Sequence, residues 1–222
     1  MSEDVKTFVL NGWAASPDAW KLCTFKRDAV FSYIDHLDGK TEAAFAAAAG
    51  GAVLVGWSMG ASYALRLALK SPARVRALVL VAATPRMMQD EGWPGMTERR
   101  LSALEMGLKM TMGGGGFSSI PARLPNPYVM DSDANLKRGL DYLRSTDLRA
   151  ELEAKRDAFA SLPCVLFQSE KDPVVRASNA GYLKGIFARA QLHMIPGAEH
   201  ALPIFIPEQI TSAIQTATSL KR

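Results

Sequence analysis

The sequence predicts an α/β fold built on a mostly parallel sheet of about six strands, and three observations carry that expectation. Short β-type apolar runs alternate with helix-like segments, the pattern of a parallel sheet covered on both faces. The pentapeptide Gly56-Trp57-Ser58-Met59-Gly60 stands where the apolar run Ala52-Val53-Leu54-Val55 gives way to the helix-favouring run Ala61 to Leu69. Between Pro85 and about Ala150 the alternation fails and no strand-like run appears, which marks a helical insertion.

In chain order, strands are expected near Lys6–Leu10, Ala29–Ile34, Ala52–Val55, Ala77–Val81, Cys164–Phe167 and Gln191–Ile195. Helices are expected near Asp18–Lys26, Thr41–Ala49, Met59–Lys70, Val175–Ala188 and Pro207–Leu220, with Ser16 and Pro17 starting the first. Inside the insertion, Leu101, Leu104, Leu108 and Met112 recur at helical spacing. So do Leu136, Leu140 and Leu143, after the cap candidates Asp131, Ser132 and Asp133. Residues 85–150 are therefore expected to form a helical lid on a core made of 1–84 and 151–222. Met106, Met110 and Met112 give the lid an adaptable apolar face. Gly113 to Gly116 and Pro121 to Pro127 have the composition of joints, and both a mobile lid and an ordered loop fit it.

The pentapeptide has the form and context of a nucleophile elbow. A serine on so sharp a strand-to-helix turn is forced towards positive φ, at a cost of about 1–3 kcal/mol, and flanking glycines remove the Cβ atoms that would clash. A serine hydroxyl needs a base, and the base needs an orienting acid. Of three histidines, His36 ends an expected strand and His193 lies within another, where packing is the usual role. His200 sits in the loop Pro196 to Pro203 just past the last strand, where open α/β sheets place their chemistry. Asp172, in the turn Ser169 to Pro173, is the candidate acid. Its rivals are Glu170, earlier in the same turn, and Glu199, adjacent to His200. The order Ser58, Asp172, His200 is that of α/β-hydrolases. A tetrahedral oxyanion would take the Met59 amide and, from the loop Asn11-Gly12-Trp13-Ala14, the Trp13 amide. Trp13 and Trp57 are expected to wall the acyl pocket, with plain packing as the alternative.

Composition bounds the partners. A chain that is 48% hydrophobic can bury a sizeable core, and no run of about 18 apolar residues or signal-peptide h-region appears. The sequence thus reads as soluble and cytoplasmic. Cys23, in an expected helix, and Cys164, in an expected strand, are far apart and read as reduced packing residues. With three scattered histidines, neither a metal site nor a cofactor is expected. The net charge of +4 comes without a long Lys/Arg run, so no nucleic-acid or membrane partner is expected.

With elbow, acid and base placed, the chain resembles the α/β-hydrolase superfamily throughout. Within it, the chain is similar to the pimeloyl-acyl carrier protein methyl ester esterases of biotin synthesis. The resemblance is strongest in the elbow, in Pro72 to Val79, in Gly92-Trp93-Pro94-Gly95 and in Leu143-Arg144-Ser145-Thr146-Asp147-Leu148-Arg149. The sequence departs from that family in carrying Asn11-Gly12-Trp13 where the family has His-Gly-Trp, in lacking the antiparallel N-terminal hairpin, and between Met112 and Leu140. The resemblance implies hydrolysis of the methyl ester of a pimeloyl chain on its acidic carrier, held by basic lid residues. Candidates for that role are Arg99, Arg100, Lys137, Arg138 and Arg144, although residues 86–149 hold nine Lys/Arg against eight Asp/Glu. The expected activity is a serine carboxylesterase acting on a small or carrier-bound ester. The alternatives are a short-chain carboxylesterase or thioesterase and a non-catalytic binding module; a dehalogenase or epoxide hydrolase would need an acidic residue in place of Ser58.

Overall fold

The computed structural model describes residues 4–112, 120–121, 123–129, 131–197 and 199–219, without the side chains of 111–112. β1 (Lys6–Leu10), β2 (Ala29–Phe31), β3 (Ala52–Trp57), β4 (Val75–Val81), β5 (Cys164–Ser169) and β6 (Ala190–Ile195) form one sheet. The order is β2-β1-β3-β4-β5-β6, and every neighbouring pair is parallel.

Nine helices of the described residues connect and cover the strands. They are α1 (Tyr33–Leu37), α2 (Lys40–Ala47), α3 (Met59–Lys70), α4 (Glu98–Met112), α5 (Asp133–Ser145), α6 (Arg149–Ala154), α7 (Ala177–Ile186), α8 (Leu202–Phe205) and α9 (Pro207–Ser219). Side-chain alternation along the central strands feeds two apolar layers. Leu54, Leu78 and Leu80 pack with Ala64, Leu65 and Ala68 of α3 on one face. Val53, Val55, Val79 and Val81 pack with Ile210 and Ile214 of α9 on the other. Each fully buried Leu, Ile or Val contributes about 1.5–3 kcal/mol, so this double burial anchors the strand ends that carry the polar loops.

Two elements near the N-terminus differ from expectation. β2 stops at Phe31 instead of Ile34 because Ser32 caps α1: its side chain accepts from the Asp35 amide, and Asp35 answers to the Ser32 amide. The expected helix over Asp18–Lys26 shrinks to one 3-10 turn, Pro17–Trp20. Beyond that turn, the Arg27 guanidinium takes the Cys23 carbonyl at 2.8 Å, and the Thr24 amide donates to Thr211 of α9 at 3.1 Å. Cys23 is therefore buried in a loop rather than a helix, while Cys164 is buried in β5. Both thiols are free, and burial pushes that of Cys23 up to about 11.

The segment between β4 and β5 carries α4, α5 and α6, and its two ends are tied together. Arg86 bonds Asp147 at 2.9 Å, Arg149 bonds Asp90 at 2.6 Å and Asp147 at 2.7 Å, and the Arg149 guanidinium lies 5.1 Å from the Trp93 ring centre. The Trp93 indole donates to the Arg86 carbonyl at 3.0 Å. This knot gives a structural reason for the Gly92 to Gly95 and Leu143 to Arg149 sequences.

Of the two expected joints, Gly113 to Gly116 lies outside the described residues. The other, Pro121 to Pro127, is stitched at its end to the loop after β1. The Ser16 amide donates to the Pro127 carbonyl at 2.8 Å, and the Val129 amide to Ala14 at 2.9 Å. Among the described residues no helix is long and apolar enough to cross a membrane.

Candidate active site

Gly56 and Gly60 let β3 turn abruptly into α3. A Cβ on Gly56 would come within 2.6 Å of the Ala61 Cα, and one on Gly60 would strike the Leu10 carbonyl. Between them Ser58 takes φ +56°, outside the comfortable range for an L-residue, and its side chain emerges above the sheet's C-terminal edge.

The expected partners converge there. His200 Nε2 lies 3.0 Å from Ser58 Oγ, and its Nδ1 lies 2.9 Å from Asp172 Oδ2. With the Nδ1 hydrogen donated to the carboxylate, Nε2 is left to accept from the hydroxyl. Asp172 is buried, and its Oδ1 accepts from the amides of Val174 at 2.7 Å and Val175 at 2.9 Å. Gln168 of β5, also buried, donates to Oδ2 at 3.3 Å. Glu170, the first rival acid, is exposed. Among the described residues Asp172 is the one carboxylate bonded to the imidazole. An imidazole bridging a hydroxyl and a fixed carboxylate can move a proton from serine oxygen and return it to a leaving group.

The loop after β1 lies against the elbow: a Cβ on Gly12 would sit 3.1 Å from Ser58 Cβ. The amides of Trp13 and Met59 have no acceptor among the described residues, and Met59 opens α3, where the helix dipole favours negative charge. Trp13 is buried, its indole donating to the Leu136 carbonyl of α5 at 3.0 Å, and Gly139 leaves room for the ring.

Trp57 is a correction. It does not line the pocket; its ring is buried beneath the sheet's edge, and its indole donates to the His200 carbonyl at 2.9 Å. Period-two alternation from Val53 and Val55 places it on that core face. Sequence pattern does not single out Gln168, which follows the apolar run of β5, or Tyr128, which lies in a loop. Tyr128 packs 6.1 Å from the Trp57 ring, and burial pushes its hydroxyl up to about 12.

Ser58 and His200 open into a cavity of about 740 Å³ walled mainly by apolar side chains, among them Trp13, Leu104, Met106, Met110 and Leu143. Met106 and Met110 are exposed on α4, while the Met112 side chain lies outside the described residues. Of the five cations singled out in the sequence, Arg99 lines this cavity and has no ion pair among the described residues. The other four are engaged. Arg100 donates to the Pro173 carbonyl at 3.0 Å, Lys137 pairs with Asp141 at 2.6 Å, Arg138 with Asp38 at 2.6 Å, and Arg144 with Glu98 at 2.7 Å. The remaining histidines are elsewhere: His193 of β6 stacks on Phe167 of β5, and His36 is buried on α1 instead of ending a strand. Among the described residues no cluster of three or more His, Cys, Asp or Glu could hold a metal ion.

This architecture matches a known family. Residues 10–213 fit the model of the alpha/beta hydrolase family, and the chain belongs to that family of hydrolases. Its curated relatives include pimeloyl-[acyl-carrier protein] methyl ester esterases. That of Nitrosomonas europaea is 31% identical over 196 residues, covering 81% of this chain and 76% of the relative. That of Edwardsiella ictaluri is 27% identical over 237 residues, covering 93% and 90%. Among solved structures, an esterase from Exiguobacterium antarcticum superposes with a TM-score of 0.77 at 20% identity, covering 99% of this chain and 94% of its own. An enol-lactonase from Burkholderia xenovorans gives 0.71 at 15% identity, covering 98% and 92%. At those identities the likeness is one of fold.

Proposed function

We propose that the protein is a serine carboxylesterase whose substrate is the methyl ester of a pimeloyl chain carried on acyl carrier protein. The observation that carries the esterase reading is the unbroken chain of hydrogen bonds from Ser58 through His200 to Asp172 at the floor of an apolar cavity. The substrate rests on the relatives named above.

In this reading Ser58 Oγ attacks the ester carbonyl while His200 Nε2 takes its proton. The Met59 and Trp13 amides hold the resulting oxyanion, an interaction worth about 10²–10³-fold per donor where one has been removed from such sites. As the C–O bond breaks, His200 returns the proton to the leaving methoxide, which departs as methanol. Water, deprotonated by the same imidazole, then attacks the acyl-enzyme; as the bond from the acyl carbon to Ser58 Oγ breaks, His200 returns that proton to Ser58, and the freed acid ionises in solution. Asp172 keeps the imidazole in the required tautomer. Residues 85–150 act as the lid, whose apolar face contacts the methylene chain, and the carrier docks at Arg99 and neighbouring cations. The protein works in the cytoplasm, without cofactor or metal.

Replacing Ser58 by Ala is expected to lower turnover of p-nitrophenyl butyrate by about 10³-fold or more and to abolish covalent labelling by a fluorophosphonate, with an unchanged circular dichroism spectrum. Labelling that survives the substitution sinks the nucleophile assignment. A second reading, a short-chain carboxylesterase or thioesterase, is favoured by the engagement of four of the five candidate cations in internal bonds. Turnover of methyl pimeloyl-carrier against p-nitrophenyl esters separates the two, because an enzyme for the carrier loses efficiency when the carrier is removed. Growth of a biotin auxotroph lacking its own pimeloyl methyl ester esterase, restored by this gene, supports the first.

A further inference from the structure

We infer that His36 is a positioning residue for the oxyanion loop: its Nε2–H fixes the Asn11 carbonyl and, through it, the direction of the Trp13 amide. The inference rests on the serine-esterase reading above and deepens it.

His36 is 2% exposed and its ring is held on every side. Nε2 lies 3.1 Å from the Asn11 carbonyl oxygen, Nδ1 lies 2.8 Å from Thr41 Oγ1, and the ring face stacks on Tyr63 with centres 4.7 Å apart. A carbonyl can only accept, so Nε2 carries the hydrogen and Nδ1 accepts from the Thr41 hydroxyl. Its partners therefore dictate one neutral tautomer. Burial favours the same state, lowering the imidazole to about 4, while the bond to the Asn11 carbonyl and, less, Asp35 on the same helix pull the other way.

Asn11, at the end of β1, is pinned by three groups. Its amide donates to the Phe31 carbonyl at 2.9 Å, its Oδ1 accepts from the Trp20 indole at 2.7 Å, and its carbonyl accepts from His36. The next residue, Gly12, has no Cβ to restrict its peptide planes, and the space against Ser58 admits little more than glycine. The Trp13 amide belongs to the next peptide, whose Gly12 carbonyl accepts from the Ala15 amide at 3.1 Å. Without a donor on the Asn11 carbonyl, the peptide joining Asn11 to Gly12 loses its hydrogen bond, and a tilt there passes through the Cβ-free Gly12 to the Trp13 amide, held then by the Ala15 bond alone. An apolar side chain would fill the same space and stack on Tyr63 equally well, so packing alone does not require a histidine. The donor is what the imidazole adds.

The test uses His36→Phe, which keeps size and stacking but loses the donor, beside His36→Gln, whose amide offers a donor to the carbonyl. With p-nitrophenyl butyrate, His36→Phe is expected to lower kcat by about tenfold or more while KM stays within about twofold, and to weaken a boronic acid mimic of the tetrahedral state by the same factor. His36→Gln is expected to restore most of both. If Phe and Gln behave alike, or if the loss of kcat equals the loss of sites titratable by fluorophosphonate, His36 is merely structural and the inference falls. Should His36→Phe not fold, His36→Leu beside His36→Gln decides: Leu also removes the donor, and an equal kcat in the two overturns the inference. Wild-type protein that neither turns over nor labels refutes the esterase reading instead, so the two failures are distinguishable.

Discussion

Ser58 holds a φ of +56° that its own side chain does not favour, and neighbouring packing maintains it. Gly60 sits against the Leu10 carbonyl, and the Ser58 amide donates to the Val81 carbonyl at 2.9 Å, so strand and helix cannot relax apart without losing both. Around the serine, second-tier side chains hold the polar ones. Trp57 is the clearest case, since its indole bonds the His200 backbone instead of a ligand. Trp57→Phe keeps most of the ring volume but removes that bond, worth about 1 kcal/mol. We expect kcat to fall by about three- to tenfold with KM little changed, measured with p-nitrophenyl butyrate; an unchanged kcat would mean that the loop holds His200 unaided. The meeting of Ser58, Asp172 and His200 is legible in the sequence because each follows an apolar run, and strand C-termini in such sheets share one edge. The place of Trp57 was obscured by its position beside the serine, although alternation with Val53 and Val55 encodes it.

The elements between β4 and β5 pack on the core through Met87, Met96, Leu101, Leu136 and Leu140 against Trp13, Tyr33 and Met59, and charges tie their two ends together. Arg149 joins Asp90, Asp147 and the Trp93 ring, with its own side chain 26% exposed. Single exposed ion pairs contribute little, but this arginine serves two carboxylates and an indole together. Arg149→Ala is expected to cost about 1–2 kcal/mol in a urea midpoint at low salt and less at 1 M salt, where the ionic part is screened. A salt-independent loss would assign the effect to packing on Trp93. Helical periodicity makes α4 and α5 legible, because Leu101, Leu104, Leu108 and Leu136, Leu140, Leu143 repeat at a helix's period. Local pattern does not reveal the short α1, α6 and α8: five, six and four residues leave no period to read, and only the Ser32 and Asp35 capping pair marks the first.

At the scale of the molecule, the parallel sheet brings the ends of β1, β3, β5 and β6 to one edge, and the buried imidazole of His36 ties a property of that edge to global stability. Its ordinary value is 6.5, and burial lowers it to about 4 in the fold. The unfolded chain binds a proton below about pH 6.5 that the folded one refuses until about pH 4, so stability falls as pH drops through that window. The full difference is about 3 kcal/mol by linkage. Urea midpoints at pH 7, 5 and 4 should fall for the wild type and fall less for His36→Phe; parallel curves would move the burden to other groups. The six strands are legible from alternating apolar runs, while their order in the sheet comes from the structure alone. The chain's retreat from helix after Trp20 was not, because it depends on Arg27 and on Thr211 of α9, a contact no local pattern contains.

One consequence concerns synthesis. The hydroxyl and imidazole that touch at 3.0 Å are separated by 142 positions. A ribosome making this chain finishes the sharp turn around the serine long before the base that would awaken it exists. Under the proposed esterase reading, the nascent polypeptide therefore lacks its base until position 200 has been made.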